Sequence, residues 1–483
     1  MPAMALVDSP APPSSRLPGR LPLGARLARL AATAGFLALS VTAPIARAQD
    51  SSGINLIRDT EIEETLHVDA DPIFVAAGLN PKDVTILLVG DKELNAFTVN
   101  GQLIAVNTGL IIETATPNQL QGVIAHETGH AAGGHAVRSG DMEKAGMKPF
   151  LISMGLGVLA AVAGAPDAGI ALISSSQYFG ALGAMTYSRS QEAAADQAAI
   201  TYLERAGLSS RGIVEFFDNF RYEEVFSQAR RFPYFQDHPI TSERIELLRR
   251  RAEEQSHFKD PDDAQAQVRH DIMKAKLFAF INPPQQTFVK YLETDKGFAA
   301  RYARAIAYYK ALETDRALTQ IDSLIKDYPD NPYLYELKGQ VYFEVGKAAL
   351  AEEAHAKSVA LKPKAPLLRI NLAQAILAQN DPKRADEAIG HLKAALLVEN
   401  DNTFAWRLMA QAYDAKGEGG EARLASAEER YSAGDFTYAR IFALRAREML
   451  PKDSPQWRRA TDIVLVSNPS RDDLRVMSSQ HGV

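Results

Sequence analysis

The 483-residue sequence contains no cysteine. That excludes a disulfide framework, and it excludes any metal site built on thiolates. Basic residues are also in deficit: 53 Lys and Arg face 59 Asp and Glu, a net charge of −6, so the positive footprint required for nucleic-acid binding is missing. Charge of either sign is nearly absent between Phe150 and Ser188, where Asp167 stands alone. What is present, 46% hydrophobic and 23% charged, is the composition of a globular chain. Its length exceeds what one hydrophobic core supports, so two or more domains are expected.

Arg16, Arg20, Arg26 and Arg29 precede the apolar run "LAATAGFLALSVTAP" and then "ARAQD". This order of basic, apolar and small residues reads as a secretory signal peptide over residues 1–48, cut after Ala48, which places the mature chain in the periplasm. A membrane anchor is the competing reading, but the run falls short of the roughly 20 residues a spanning helix needs. Cleavage removes five arginines and one aspartate and leaves the remainder more acidic.

Three short β-like runs follow, "VTILLVG", "NAFTVNG" and "QLIAVNTGLI", with Asn100-Gly101 as a hairpin signal between the second and third. They predict a small antiparallel sheet. Thr116 and Pro117 then open a helix as N-cap and first helical residue, and it runs through "NQLQGVIAHETGHAAG". The apolar stretch from Phe150 to Ser188 reads as two helices broken near Gly164-Ala165-Pro166-Asp167. They either pack on the preceding helix or touch a membrane surface, since the first is marginal in length for a span. The chain is helical to about Glu254, apart from "RRFPYFQDHPITSER", and "HFKDPDDAQAQ" marks a charged boundary.

From about Phe298 the texture becomes pairs of short amphipathic helices. Gly339, Tyr342, Ala351 and Pro363 fall at tetratricopeptide offsets, and Pro329 lies one 34-residue period before Pro363. The next unit is stretched by "QNDPKRADEA". Such pairs stack because one alone cannot bury its apolar face, and by analogy the stack offers a groove for polypeptide. The expected domains are 49–255, a linker with connecting helices at 256–297, repeats at 298–452, and a C-terminal helix and tail at 453–483.

The stretch "VIAHETGHAAGGH" carries the chemistry. On a helix His126 and His130 share a face and can aim two imidazoles at one cation, with Glu127 about a third of a turn round. A chance surface pair of histidines is the plain alternative. Imidazole and carboxylate donors suit zinc, one ion per chain, and Glu127 is placed to take a proton from a water on it. His135 is a poor third ligand, because five residues past His130 it points off the shared face, and a strict metzincin spacing would need histidine at Ala136. Glu192 is the better candidate. It pairs with Asp196 at i and i+4 in "YSRSQEAAADQAA", where the alanines favour a packed helix over a solvated acidic face. Asp196 would orient a liganding imidazole, and Arg189 would pair with either carboxylate or simply with solvent.

Taken together, H-E-x-x-H, then S-R-x-x-E-x-x-A-D on a separate helix, then H-P-x-x-x-x-R, resemble the gluzincin metallopeptidases of the HtpX and CAAX prenyl-protease type. The resemblance covers roughly Val84 to Leu247 and includes "NAFTVNG" with "IAVNTGLI". It implies zinc on His126, His130 and Glu192, catalysis by Glu127, and a role for His238 in "DHPITSERI". That role is either a fourth zinc ligand in a latent state or a donor to the oxyanion; a loop histidine capping the next helix is the alternative. Arg244 reads as a structural ion-pair partner. Asn95, Ala96 and Phe97 are expected on an edge strand that pairs with extended substrate.

The fold class is therefore α+β and mostly helical, a zincin-type metalloprotease domain with a small antiparallel sheet followed by an α-solenoid of tetratricopeptide repeats. The resemblance, with an export signal and repeats added, implies a zinc endopeptidase acting on unfolded or partly folded envelope proteins, in contact with the machinery that assembles outer-membrane barrels. A chaperone or adaptor with a latent or structural zinc site is the competing function.

Overall fold

The computed structural model describes residues 48–49, 55–99, 102–135, 147, 151–154, 188–225, 238, 241–473 and 475. The expected signal peptide, the Asn100-Gly101 turn and most of the apolar stretch lie outside them. Among the described residues no helix is long and apolar enough to cross a membrane.

Among the described residues, five strands form one sheet in the order β1-β2-β3-β5-β4: β1 Ala48–Gln49, β2 Asn55–Ile57, β3 Thr85–Val89, β4 Ala96–Val99 and β5 Leu103–Asn107. The expected antiparallel sheet is in fact mixed. β4 and β5 pair antiparallel, but β3 and β5 run parallel in register Thr85↔Leu103 to Val89↔Asn107. The reason is burial: Ile104 to Asn107 are all buried, so β5 takes an interior place with a partner on each side, whereas the partly exposed β4 stays at the edge. The loop between β3 and β4 is strapped down where Asp91 O accepts from Gly109 N at 2.8 Å and from Thr108 Oγ1 at 2.7 Å.

Two helices that pack against each other and on the sheet support the site. One spans Thr60–Ala76, capped by Asp59, whose Oδ1 accepts from Ile62 N at 3.0 Å. The other spans Pro117–Gly133, begins as expected at Thr116 and Pro117, and ends at Gly134 in the left-handed conformation, φ 64°. Every residue of that second helix from Pro117 to His130 is buried, so a histidine pair on a solvated face is ruled out. Glycine makes this depth possible. A Cβ on Gly129 would lie 2.9 Å from the Ala195 carbonyl oxygen, and one on Gly122 would lie 2.7 Å from Ile213 Cβ, so helices 188–205 and Arg211–Val225 approach backbone to backbone.

The repeats form pairs Phe298–Lys310 with Thr314–Asp327, Pro332–Glu344 with Ala348–Leu361, Pro366–Leu377 with Ala385–Leu396, Thr403–Ala415 with Gly419–Ser432, and Phe436–Met449 with Pro455–Val466. The helix expected as a separate C-terminal element is thus the second member of the last pair. The sequence period is visible in the backbone: the first three pairs turn at Leu312, Gly346 and Asn380, each at positive φ. The stretched unit is explained by a three-residue 3-10 turn, Pro382–Arg384, inserted before the second helix of pair three. Within pair two, the His355 ring fills the notch left by Gly339, where an added Cβ would meet it at 2.5 Å.

Residues 256–297 are not a linker in the mechanical sense. Helix Ala264–Ile281 puts Met273 and Leu277 into the protease-domain core, and Ala275 and Ala279 into the core of the first repeats. Between those faces Lys276 is buried, with Nζ 2.8 Å from Asp59 and 3.0 Å from Glu61. Tyr302 donates its hydroxyl to Glu61 at 3.0 Å, Tyr333 and Lys362 both reach Glu64, and Arg58 pairs with Glu399 at 2.7 Å. A helix that is apolar on two sides joins the domains as a shared wall.

Candidate metal centre

His126 and His130, one helical turn apart, direct their Nε2 atoms to a common point and lie 3.1 Å from each other there. Helix 188–205 brings Glu192 to the same point, with its oxygens 3.4 Å from His126 Nε2 and 3.3 Å from His130 Nε2. His238 enters from the chain before helix Ser242–Glu253, its Nδ1 3.3 Å from His126 Nε2 and 3.1 Å from both Glu192 oxygens. All four side chains are buried, and one donor atom from each lies within 4.8 Å of the others.

The donor set suits a divalent ion. Metal bonds of about 2.0–2.1 Å in a tetrahedron place neighbouring donors about 3.3–3.4 Å apart, close to the 3.1–3.4 Å between the donor pairs here. The opposite ring nitrogens of the two helical histidines are occupied elsewhere: His126 Nδ1 lies 3.0 Å from Asp196 Oδ1, and His130 Nδ1 lies 2.9 Å from His135 Nδ1. Each Nε2 is therefore left to face the shared point. His135 touches His130 from its far side.

The electrostatics are strongly polarised. Burial works against charge on His126, yet Asp196 and then Glu192 outweigh it and raise its pKa to about 9. Burial dominates at His130 and lowers its pKa. It also opposes ionisation of Glu192, but the three histidines around that carboxylate hold it well below its usual range. At Asp196 burial is overcome by Arg244, then by His126, and the carboxyl sits at about 2.

Arg244 brings a cation to the site. It binds Asp196 through Nε at 2.6 Å and Nη2 at 2.8 Å, and reaches Glu192 through Nη1 at 3.0 Å. Its guanidinium carbon stands 5.2 Å from the centre of the Phe217 ring, which also packs edge-on to His126 at 6.3 Å. Of the two settings expected for Arg189, a carboxylate partner or solvent, its exposed position on helix 188–205 matches the second. The partner comes from another helix because Arg189 lies on the outer side of its own.

Glu127 is fully buried beside the donors, with Oε1 3.4 Å from His238 Nε2. Asn95 and Ala96 are buried and Phe97 is half-buried, and the last two belong to β4, the strand at the sheet edge. One contact was missing from the sequence reading: Thr98 of β4 reaches Glu127. Its signal was the strand's period of two, which puts Thr98 on the face of Ala96.

Residues 57–252 match the model of Peptidase family M48. A putative beta-barrel assembly-enhancing protease of Vibrio cholerae serotype O1 is 25% identical over 76% of this chain and 75% of its own. The beta-barrel assembly-enhancing protease of Escherichia coli K12 is 26% identical over 72% of this chain and 71% of its own. The metalloprotease LoiP of the same organism is 32% identical over 36% of this chain and 64% of its own. The chain is a metalloprotease whose residues 57–252 resemble an M48 peptidase and are followed by helical repeats.

Proposed function

We propose that this metalloprotease is a zinc-dependent endopeptidase of the periplasm that hydrolyses misfolded or stalled envelope proteins brought to it through its repeats. The observation that carries the reading is the convergence of His126, His130 and Glu192 on one point, with the Glu127 carboxyl alongside. These three residues would hold the ion. Zinc bound there supplies Lewis acidity, lowering the pKa of a water and polarising a peptide carbonyl. Glu127 accepts the proton of the attacking water and then gives it to the departing nitrogen, a cycle suited to a carboxyl kept out of bulk solvent. Asp196, held by Arg244, keeps His126 in the tautomer and orientation that leave Nε2 free. The edge strand β4, with Asn95 leading into Ala96 and Phe97, can align an extended chain by main-chain hydrogen bonds, which suits loose sequence preference. The envelope setting rests on relatives named for beta-barrel assembly and on the signal-like N-terminus; it makes the barrel-assembly machinery a partner of this chain.

His238 supports a latent form of the same reading. With a fourth protein donor at the shared point the site is closed, as in structural zinc centres, and the chain acts as a chaperone or adaptor until His238 withdraws. Casein cleavage by the purified chain, abolished by a chelator, restored by zinc and lost in Glu127→Gln with zinc content intact, is the expected result. Undiminished turnover by Glu127→Gln would refute the mechanism.

A further inference from the structure

The carboxyl of Glu127 has two oxygens in different surroundings. Oε1 faces the donor cluster, where among the described residues it has no hydrogen bond and lies 3.4 Å from His238 Nε2. Oε2 faces the sheet, where the Thr98 hydroxyl lies 3.1 Å away; the same hydroxyl is 2.8 Å from the Glu127 backbone carbonyl. β4 can deliver this contact because Ala96 and Thr98 share the face turned to the helix, and Ala96, fully buried, leaves the strand close to it.

From this geometry we infer that Thr98 is a positioning residue for Glu127, fixing Oε2 so that Oε1 is the oxygen presented to the reacting water. A hydroxyl is suited to the task in a way that an amide or a cation is not, because it both donates and accepts. While Glu127 is ionised, the Thr98 O–H donates to Oε2. Once Glu127 has taken a proton, the Thr98 O–H can turn to the Glu127 carbonyl oxygen and its lone pair can face the carboxyl, so the contact survives the transfer. A buried carboxyl without this tether would rotate about its side-chain bonds, and misplacement of a catalytic group by about 1 Å costs about 100-fold in rate.

The inference rests on Glu127 being the proton acceptor, and the experiment separates the two. Thr98→Val keeps the shape and removes the hydroxyl, whereas Thr98→Ser keeps the hydroxyl. On a peptide substrate Thr98→Val is expected to lower kcat about 10- to 100-fold with KM and zinc content near the parent values, and Thr98→Ser to stay within about threefold. In the metal-free chain, Thr98→Val is expected to lower Tm more when Glu127 is present than in a Glu127→Ala background, because with the carboxylate in place the hydroxyl has a charged acceptor and without it only the backbone carbonyl. Unchanged kcat in Thr98→Val, failure of Thr98→Ser to retain it, or equal Tm losses in the two backgrounds would overturn the inference. If cleavage proves independent of Glu127, the hydrolytic reading fails, while the Tm comparison still reads the contact.

Discussion

Arg244 grips Asp196 through two parallel hydrogen bonds, Nε at 2.6 Å and Nη2 at 2.8 Å, across 48 residues of sequence, and its third nitrogen reaches Glu192. Both carboxylates are buried, and this guanidinium brings positive charge to both of them. Arg244→Leu should destabilise the chain by about 3–5 kcal/mol, because it strands buried carboxylates. Arg244→Lys should recover only part of that, since an ammonium cannot make the two-pronged contact. Denaturant unfolding of the three proteins checks the order.

Gly129 separates the two helical histidines and lets helix 188–205 approach within backbone contact. Gly129→Ala is expected to push Glu192 away from the histidine pair. The expected result is about tenfold weaker zinc retention in chelator competition and a stability loss of about 1–3 kcal/mol. Gly78, where an added Cβ meets nothing within 4 Å but φ is 78°, is a useful contrast: Gly78→Ala should cost stability through backbone strain and leave zinc retention unchanged.

His238→Ala opens the fourth position. Casein cleavage should rise while zinc is held about tenfold less tightly. Reduced cleavage with unaltered zinc affinity would instead assign His238 to the oxyanion.

Leu312 occupies a position in the first repeat that Gly346 fills in the second, at φ 61° and with its side chain largely in solvent. Leu312→Gly should stabilise the chain by about 1 kcal/mol, the left-handed strain relieved outweighing the entropy that glycine adds to the unfolded chain. Thermal unfolding monitored by circular dichroism reads this as a higher Tm.

Burial pushes His270 and His355 down to about 4. Their folded values lie below the unfolded one, so between about pH 6.5 and pH 4 the unfolded chain binds the extra protons. The stability these two contribute is complete above about pH 6.5 and is lost as the pH falls toward 4. Comparing Tm at pH 7 and 4.5 for the parent and His355→Leu should show a smaller drop in the variant, whatever its Tm at neutral pH.

Features with short spacing were legible in the sequence. The i, i+4 histidines, the Glu192 and Asp196 pair, the Thr116 and Pro117 helix start and the 34-residue period each follow from one element's geometry. What escaped depends on which elements meet. Arg189 looked suitable because it is a turn away from Glu192, but a residue on the outer side of its helix cannot compete with Arg244 arriving from a packed neighbour. The β3 and β5 pairing was hidden because alternation along a strand does not reveal the direction of its neighbour. Thr98 was passed over beside Phe97 because a threonine in a strand looks ordinary until a buried carboxyl is found opposite it.

Helix Ala264–Ile281 lends side chains to both cores. Severing the gene on its near side would strip Met273 and Leu277 from the peptidase, and severing it on the far side would leave Tyr302 and its neighbours without Ala275 and Ala279. Neither half can therefore be exchanged for a foreign module without taking apolar side chains from one of the two cores.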